Sequence, residues 1–234
     1  MGKNKLSKWA EMRTFGNVIE PDTSAVKKDH HPLRGNWKKE IFRNDHPLVL
    51  ELGCGKGEYT VGLALKYPDK NHLGVDIKGA RIWRGAKTAY EEKIINVFFV
   101  RTRIEFISSF FTDDEADEIW ITFPDPFPKP ADAGRRLTSP HFLNSYRKIL
   151  RDKGIVHLKT DNSVLYKYTR DLVHLNQMEV IADTDDLYGS GSFNEILAIR
   201  THYESLFLKD GIKIKYIAFR LEKDKVIRDA YTKE

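Results

Sequence analysis

From residue 47 onward, short apolar runs alternate with longer stretches whose apolar positions recur every three or four residues. That is the pattern of strands joined by crossover helices in a parallel sheet. The runs predict strands at Leu48 to Leu52, His72 to Asp76, Val97 to Val100, Glu118 to Phe123, Ile155 to Lys159, Glu179 to Ala182 and Ile212 to Arg220. Helices fit between them at Glu58 to Tyr67, Ala80 to Glu92, Glu105 to Phe111, Pro140 to Arg151, Ser163 to Asn176 and His202 to Lys209. Pro140 at a helix start, and Gly154 and Gly211 just past helix ends, agree with that division. The expected fold is α/β, with a mostly parallel seven-stranded sheet and an antiparallel last strand. Residues 124–139 and 183–200 fall outside the scheme as long loops rich in Pro, Gly, Asp and Ser. Loops of that length in a compact domain often carry function.

The first strand runs into Glu51-Leu52-Gly53-Cys54-Gly55-Lys56-Gly57, three glycines at alternate positions before a helix. Such a turn lets the backbone approach a ligand closely, at the strand ends where open α/β sheets bind theirs. The spacing is not that of a dinucleotide loop, and the Lys-Ser/Thr pair of a phosphate-cradling loop is absent. The next strand ends in Asp76, placed to accept hydrogen bonds from both hydroxyls of a ribose. Glu51 adds a carboxylate that suits a positively charged ligand and would repel a pyrophosphate. Cys54 reads as a small turn filler, because nothing in the sequence supplies it with a base.

The 234 residues fit one domain with appendages, and no apolar run is long enough to cross a membrane. The polar, basic start, without the apolar stretch of a signal peptide, leads to the expectation of a cytoplasmic protein. A single cysteine excludes an internal disulfide and a thiolate metal cluster, and points away from a zinc enzyme. The net charge of +5 is confined to residues 1–44, where ten Lys or Arg face five Asp or Glu, leaving the remainder balanced at 29 against 29. We therefore read residues 1–44 as a basic N-terminal arm and 45–234 as the main domain. Trp9, Phe15 and Trp37 interrupt the arm, and aromatics among cations suit base stacking as well as phosphate contact.

The fourth strand ends in Phe123-Pro124-Asp125-Pro126-Phe127-Pro128-Lys129, where three prolines hold the chain extended around one acid. This segment, with Leu50 to Gly57, Gly74 to Lys78, Lys159-Thr160-Asp161-Asn162 and Thr201-His202-Tyr203-Glu204, resembles the bacterial tRNA (guanine-N7-)-methyltransferases. The resemblance spans residues 50–204 and implies a Rossmann-like fold that binds S-adenosylmethionine (SAM). It further implies that Glu51, Asp76 and Asp125 bind SAM, that Asp125 is the active-site residue, and that Lys129, Asp161 and Thr201 to Glu204 bind tRNA. It implies position 46 in the variable loop as the target, and a monomer or homodimer as the assembly.

The pattern departs after the third strand, where many members carry Asp-Ala and this chain has Arg103-Ile104. Thr102 or backbone groups then take over contact with the adenine. The segment Pro130 to Arg136 is also less basic than in many relatives, leaving Arg135 and Arg136 beside Lys129 to meet phosphate. Guanine N7 carries a free lone pair, so its attack on a methyl group needs no general base. Alignment and electrostatics remain for the protein to supply, and Asp125 is the candidate for both. Asp161 and Glu204 would accept the N1 and N2 protons of guanine, with helix capping the structural role open to Asp161. A methyltransferase acting on an exocyclic amine and a non-catalytic RNA-binding module remain as alternatives.

Overall fold

The computed structural model describes residues 3–21, 31–191 and 197–229. By its internal contacts the chain divides into two compact units, Met1–Thr112 and Asp113–Glu234.

In the first unit, β2 (Leu48–Leu52), β3 (Asn71–Asp76) and β4 (Val97–Arg101) pair in parallel in the order β4-β3-β2. Every residue of β2 and β3 is buried whatever its parity, as expected for parallel strands covered on both faces. Full burial of one of their Leu or Val side chains contributes about 1.5–3 kcal/mol. Helix α2 (Glu58–Lys66) follows β2, and α3 (Gly79–Glu91) follows β3. The segment after β4, expected as an α-helix, forms a tighter 3-10 turn over Ile104–Ser109.

Residues before the first expected strand are also part of this unit. Helix α1 (Lys3–Met12) packs on α3, with the Glu11 carboxylate accepting from Trp83 Nε1 at 2.8 Å and Lys87 Nζ at 2.6 Å. Two residues, Val18–Ile19, form β1 and pair in parallel with β4, a strand the hydrophobic pattern did not predict. Trp37 is wholly buried, stacks on Phe111 and donates from Nε1 to the Phe110 carbonyl at 2.7 Å. Phe15 is buried as well. These two rings are core, which corrects the expectation that they stack on bases. Part of the basic segment, residues 22–30, lies outside the described residues.

In the second unit β5 (Ala116–Thr122) pairs in parallel with β6 (Leu150–Thr160). β6 and β7 (Val180–Thr184) both pair antiparallel with β8 (Lys215–Leu221), giving the order β5-β6-β8-β7. The antiparallel last strand is thus present, and eight strands are described rather than the seven expected. Helices α4 (Pro140–Ile149), α5 (Ser163–Leu175) and α6 (His202–Lys209) lie where the periodicity places them. The loop between β5 and α4 contains a 3-10 turn at Pro130–Arg135. No described helix is long and apolar enough to cross a membrane.

Candidate active site

In the first unit the turn after β2 is built on left-handed backbone at Gly53, Gly55 and Gly57, with φ of 78°, 56° and 69°. An L side chain is strained at each of these positions. The amides of Gly53 and Cys54 both donate to the Val75 carbonyl, at 2.8 and 3.1 Å, which turns the loop over the end of β3. Asp76 locks it there: one carboxylate oxygen accepts the Gly55 amide at 2.9 Å and the other the Lys78 amide at 2.7 Å. Glu51 is buried, and its carboxylate accepts the Thr60 hydroxyl from the first turn of α2. Burial, reinforced by the charges of Glu51 and Asp76, pushes the Cys54 thiol well up, in keeping with a filler and not a nucleophile.

The loop rests on a surface that the sequence pattern did not single out. A Cβ at Gly57 would stand 2.6 Å from the Phe99 ring, and one at Gly85 would stand 2.7 Å from the Lys56 carbonyl. Gly85 lies inside α3, where glycine costs about 1 kcal/mol relative to alanine, so its presence was a usable signal of close approach. Thr102 is buried and its amide donates to the Asp76 carbonyl at 3.1 Å. The Arg103 side chain is exposed and pairs with Glu105 at 3.1 Å.

In the second unit Asp125 is exposed on a loop held by two unusual backbones, Phe123 at φ 48° and Phe127 at φ 42°. The Phe123 amide donates to the Lys159 carbonyl at 2.8 Å. Beyond Phe127 the loop is fastened by Arg136, which is 4% exposed. Its guanidinium donates to the Phe127 carbonyl at 3.1 and 2.9 Å and to the Pro126 carbonyl at 3.3 Å, and lies 4.3 Å from the centre of the Tyr168 ring. Arg136 was expected to meet phosphate; the structure instead commits it to loop carbonyls. Arg135 and Lys129 are the exposed cations of this segment, Arg135 lying over the Phe127 ring and pairing with Asp132 at 3.2 Å.

The cap of α5 is Asn162, whose side-chain oxygen accepts the amides of Val164 and Leu165, both at 3.0 Å. Asp161 is thereby released from the capping role. Its carboxyl is raised above the ordinary range, mainly by partial burial, with Lys215 acting in the opposite sense. Thr201 and Glu204 form a capping box at the start of α6, and His202 and Tyr203 between them are exposed. Glu204 has no exposed surface. Its carboxylate pairs with Lys159 Nζ at 2.7 Å and accepts the Tyr188 hydroxyl at 2.6 Å. The expectation that Glu204 offers free acceptors to a guanine therefore does not match its surroundings. The partners that enclose it, Lys159 and Tyr188, were not picked out as site residues in the sequence.

A family model described as "Putative methyltransferase" matches residues 45–217. The tRNA (guanine-N(7)-)-methyltransferase of Bacteroides thetaiotaomicron is 48% identical over 229 residues, covering 98% of this chain and 90% of that protein. The protein of the same name from Porphyromonas gingivalis is 52% identical over 213 residues, covering 90% of this chain and 86% of that protein. Among solved structures, the fold matches the 16S rRNA methyltransferase KamB with a TM-score of 0.60 at 12% identity, over 81% of this chain and 94% of that one. A 16S rRNA (adenine(1408)-N(1))-methyltransferase solved with SAM matches with a TM-score of 0.55 at 14% identity, over 80% and 90%.

Proposed function

The chain belongs to the tRNA (guanine-N(7)-)-methyltransferase family, and we propose on that premise that it transfers the SAM methyl group to N7 of a guanine in tRNA, at position 46. The observation that carries the reading is the 48% identity with a relative of that name over 98% of this chain. A cytoplasmic location accompanies a tRNA substrate.

The residues of the first unit fit SAM. A buried carboxylate, Glu51, stands beside a loop whose φ angles favour glycine at three positions, and Asp76 keeps lone pairs beyond the two amides it accepts. This donor and acceptor set suits a sulfonium nucleoside with a ribose and an amino group. When bound, SAM supplies an electrophilic methyl on a positively charged sulfur. The glycine loop and Asp76 hold the nucleoside, Glu51 stabilises the cationic end, and Thr102 with Arg103 border the adenine. Asp125 orients the reacting groups and offsets the positive charge that passes to the base. Asp161, not tied up as a cap, accepts the N1 and N2 protons of guanine. Lys129 and Arg135, together with cations of residues 1–44, hold phosphates, while Thr201, His202 and Tyr203 contact the RNA beside the base.

The test is to incubate the protein with labelled SAM and unmodified tRNA, then digest and identify the labelled nucleoside. We expect 7-methylguanosine, abolished when guanine 46 is replaced by adenine in the tRNA. Labelled N6-methyladenosine, or no transfer, would sink the proposal. Asp125→Ala should lose transfer far more than tRNA binding.

A further inference from the structure

The Lys159 ammonium has no solvent exposure, and its three N–H donors meet three acceptor groups. These are the Leu197 carbonyl at 2.9 Å, the Ile199 carbonyl at 3.2 Å and the Glu204 carboxylate at 2.7 Å. Among the described residues Glu204 also closes the capping box at Thr201 and accepts from Tyr188, so both members of the pair are engaged by the protein itself. Tyr188 in turn lies under the Arg200 guanidinium, 5.2 Å from its ring centre. Residues 197–204 are thus held to the end of β6 by one buried cation.

The same residue serves the other recognition segments. Its backbone carbonyl accepts the Phe123 amide that opens the Asp125 loop, at 2.8 Å. Its chain continues directly through Thr160 to Asp161. Segments 123–129, 161 and 201–204 therefore share Lys159 as their common junction. Such a pair is not what stability alone selects: replacing a buried ion pair with apolar residues of similar volume is often neutral or stabilising. What a saturated pair of this kind provides is one geometry for the loop it holds.

We infer that Lys159 is a positioning residue for the tRNA substrate, and that Glu204 acts as its buried counter-ion and not as a direct partner of the base. The substrate in this inference rests on the methyl-transfer reading above; the positioning rests on the geometry of Lys159 alone.

Removing Lys159 by itself would strand the Glu204 charge and risks unfolding the protein. The informative variant is Lys159→Met/Glu204→Gln, neutral at both positions, with the Gln able to keep the Tyr188 bond. In the full-length protein, KM for tRNA should rise at least tenfold, kcat should fall less than threefold and the SAM Kd should stay within twofold. Amide hydrogen exchange should accelerate in residues 197–204 and not in β5 or β6. An unchanged KM for tRNA in a folded double variant would overturn the inference, as would unchanged exchange in 197–204. If the wild-type protein methylates no tRNA, the functional reading fails, and the exchange measurement still decides whether Lys159 holds the segment.

Discussion

One oxygen of the Asp76 carboxylate accepts the Gly55 amide at 2.9 Å, so the acid at the end of β3 shapes the glycine loop. Its other oxygen accepts the Lys78 amide at 2.7 Å, and each oxygen retains a lone pair for a ribose hydroxyl. Asp76→Asn turns one of these acceptors into a donor that opposes an amide N–H. A hydrogen bond to a charged group contributes about 1.5–3 kcal/mol, so SAM affinity should fall about 10- to 100-fold. Calorimetric titration with SAM measures this, and a Kd within twofold of wild type would remove Asp76 from the cofactor site.

Gly85→Ala separates helix propensity from packing. On propensity alone the change inside α3 would stabilise the protein by about 1 kcal/mol. The added Cβ, however, would lie 2.7 Å from the Lys56 carbonyl and 2.9 Å from the Gly57 Cα, both backbone of the glycine loop. Overpacking of this kind costs about 1–3 kcal/mol. The variant should lower Tm by several degrees and weaken SAM binding together, whereas Gly16→Ala, with nothing within 4 Å of its Cβ, should do neither. A Gly85→Ala protein with unaltered SAM affinity would show that the loop does not depend on this contact.

The glycine loop, Asp76 and the Asp125 segment were legible in the sequence because each places unusual residue types next to a predicted strand end. β2 to β6 and helices α2 to α5 were legible because their apolar periodicity is long enough to count, whereas the short segment after β4 gave a 3-10 turn in place of the expected helix. β1 was not, since two residues carry no period and sit in a stretch read as basic arm. Trp37 was misread for a related reason: flanking lysines describe the exposed face of a turn whose other side is wholly buried. Lys159 and Arg136 were hidden because residue type predicts exposure for cations, and burial depends on partners distant in sequence, Leu197, Ile199 and Glu204 for the one and Tyr168 for the other.

Asp161 gives a prediction whose sign follows from its raised carboxyl. A group that titrates higher in the folded than in the unfolded chain makes ionisation costly to the native state. The resulting loss of stability is absent below the unfolded value of 3.8 and develops as pH rises through the folded value. Asp161→Asn should therefore be slightly more heat-stable than wild type at pH 7 and indistinguishable from it near pH 3. At the same time it should lose at least tenfold in kcat/KM for tRNA, because the amide cannot accept both guanine protons. Scanning calorimetry at both pH values and initial rates at pH 7 check the two halves. A variant less stable at pH 7 with normal kinetics would make Asp161 a structural residue.

Arg136 distinguishes a loop fastener from a phosphate contact. Pro124, Pro126 and Pro128 lack amide donors, so the loop around Asp125 cannot hold itself with backbone bonds, and left-handed backbone at Phe123 and Phe127 adds about 1–3 kcal/mol of strain each. The Arg136 guanidinium meets that demand by reaching the Pro126 and Phe127 carbonyls from one planar group set against Tyr168. A lysine ammonium is a compact point charge that cannot reproduce the fork or the stacking. Arg136→Lys should therefore cut kcat at least tenfold by loosening Asp125. Arg136→Gln, which removes the charge, should leave the slope of log affinity for tRNA against log salt unchanged, because the guanidinium releases no counterion from RNA. Lys129→Ala should behave in the opposite way, lowering that slope by roughly one while affecting kcat less. A shallower salt slope in Arg136→Gln, with kcat intact in Arg136→Lys, would assign Arg136 to phosphate after all.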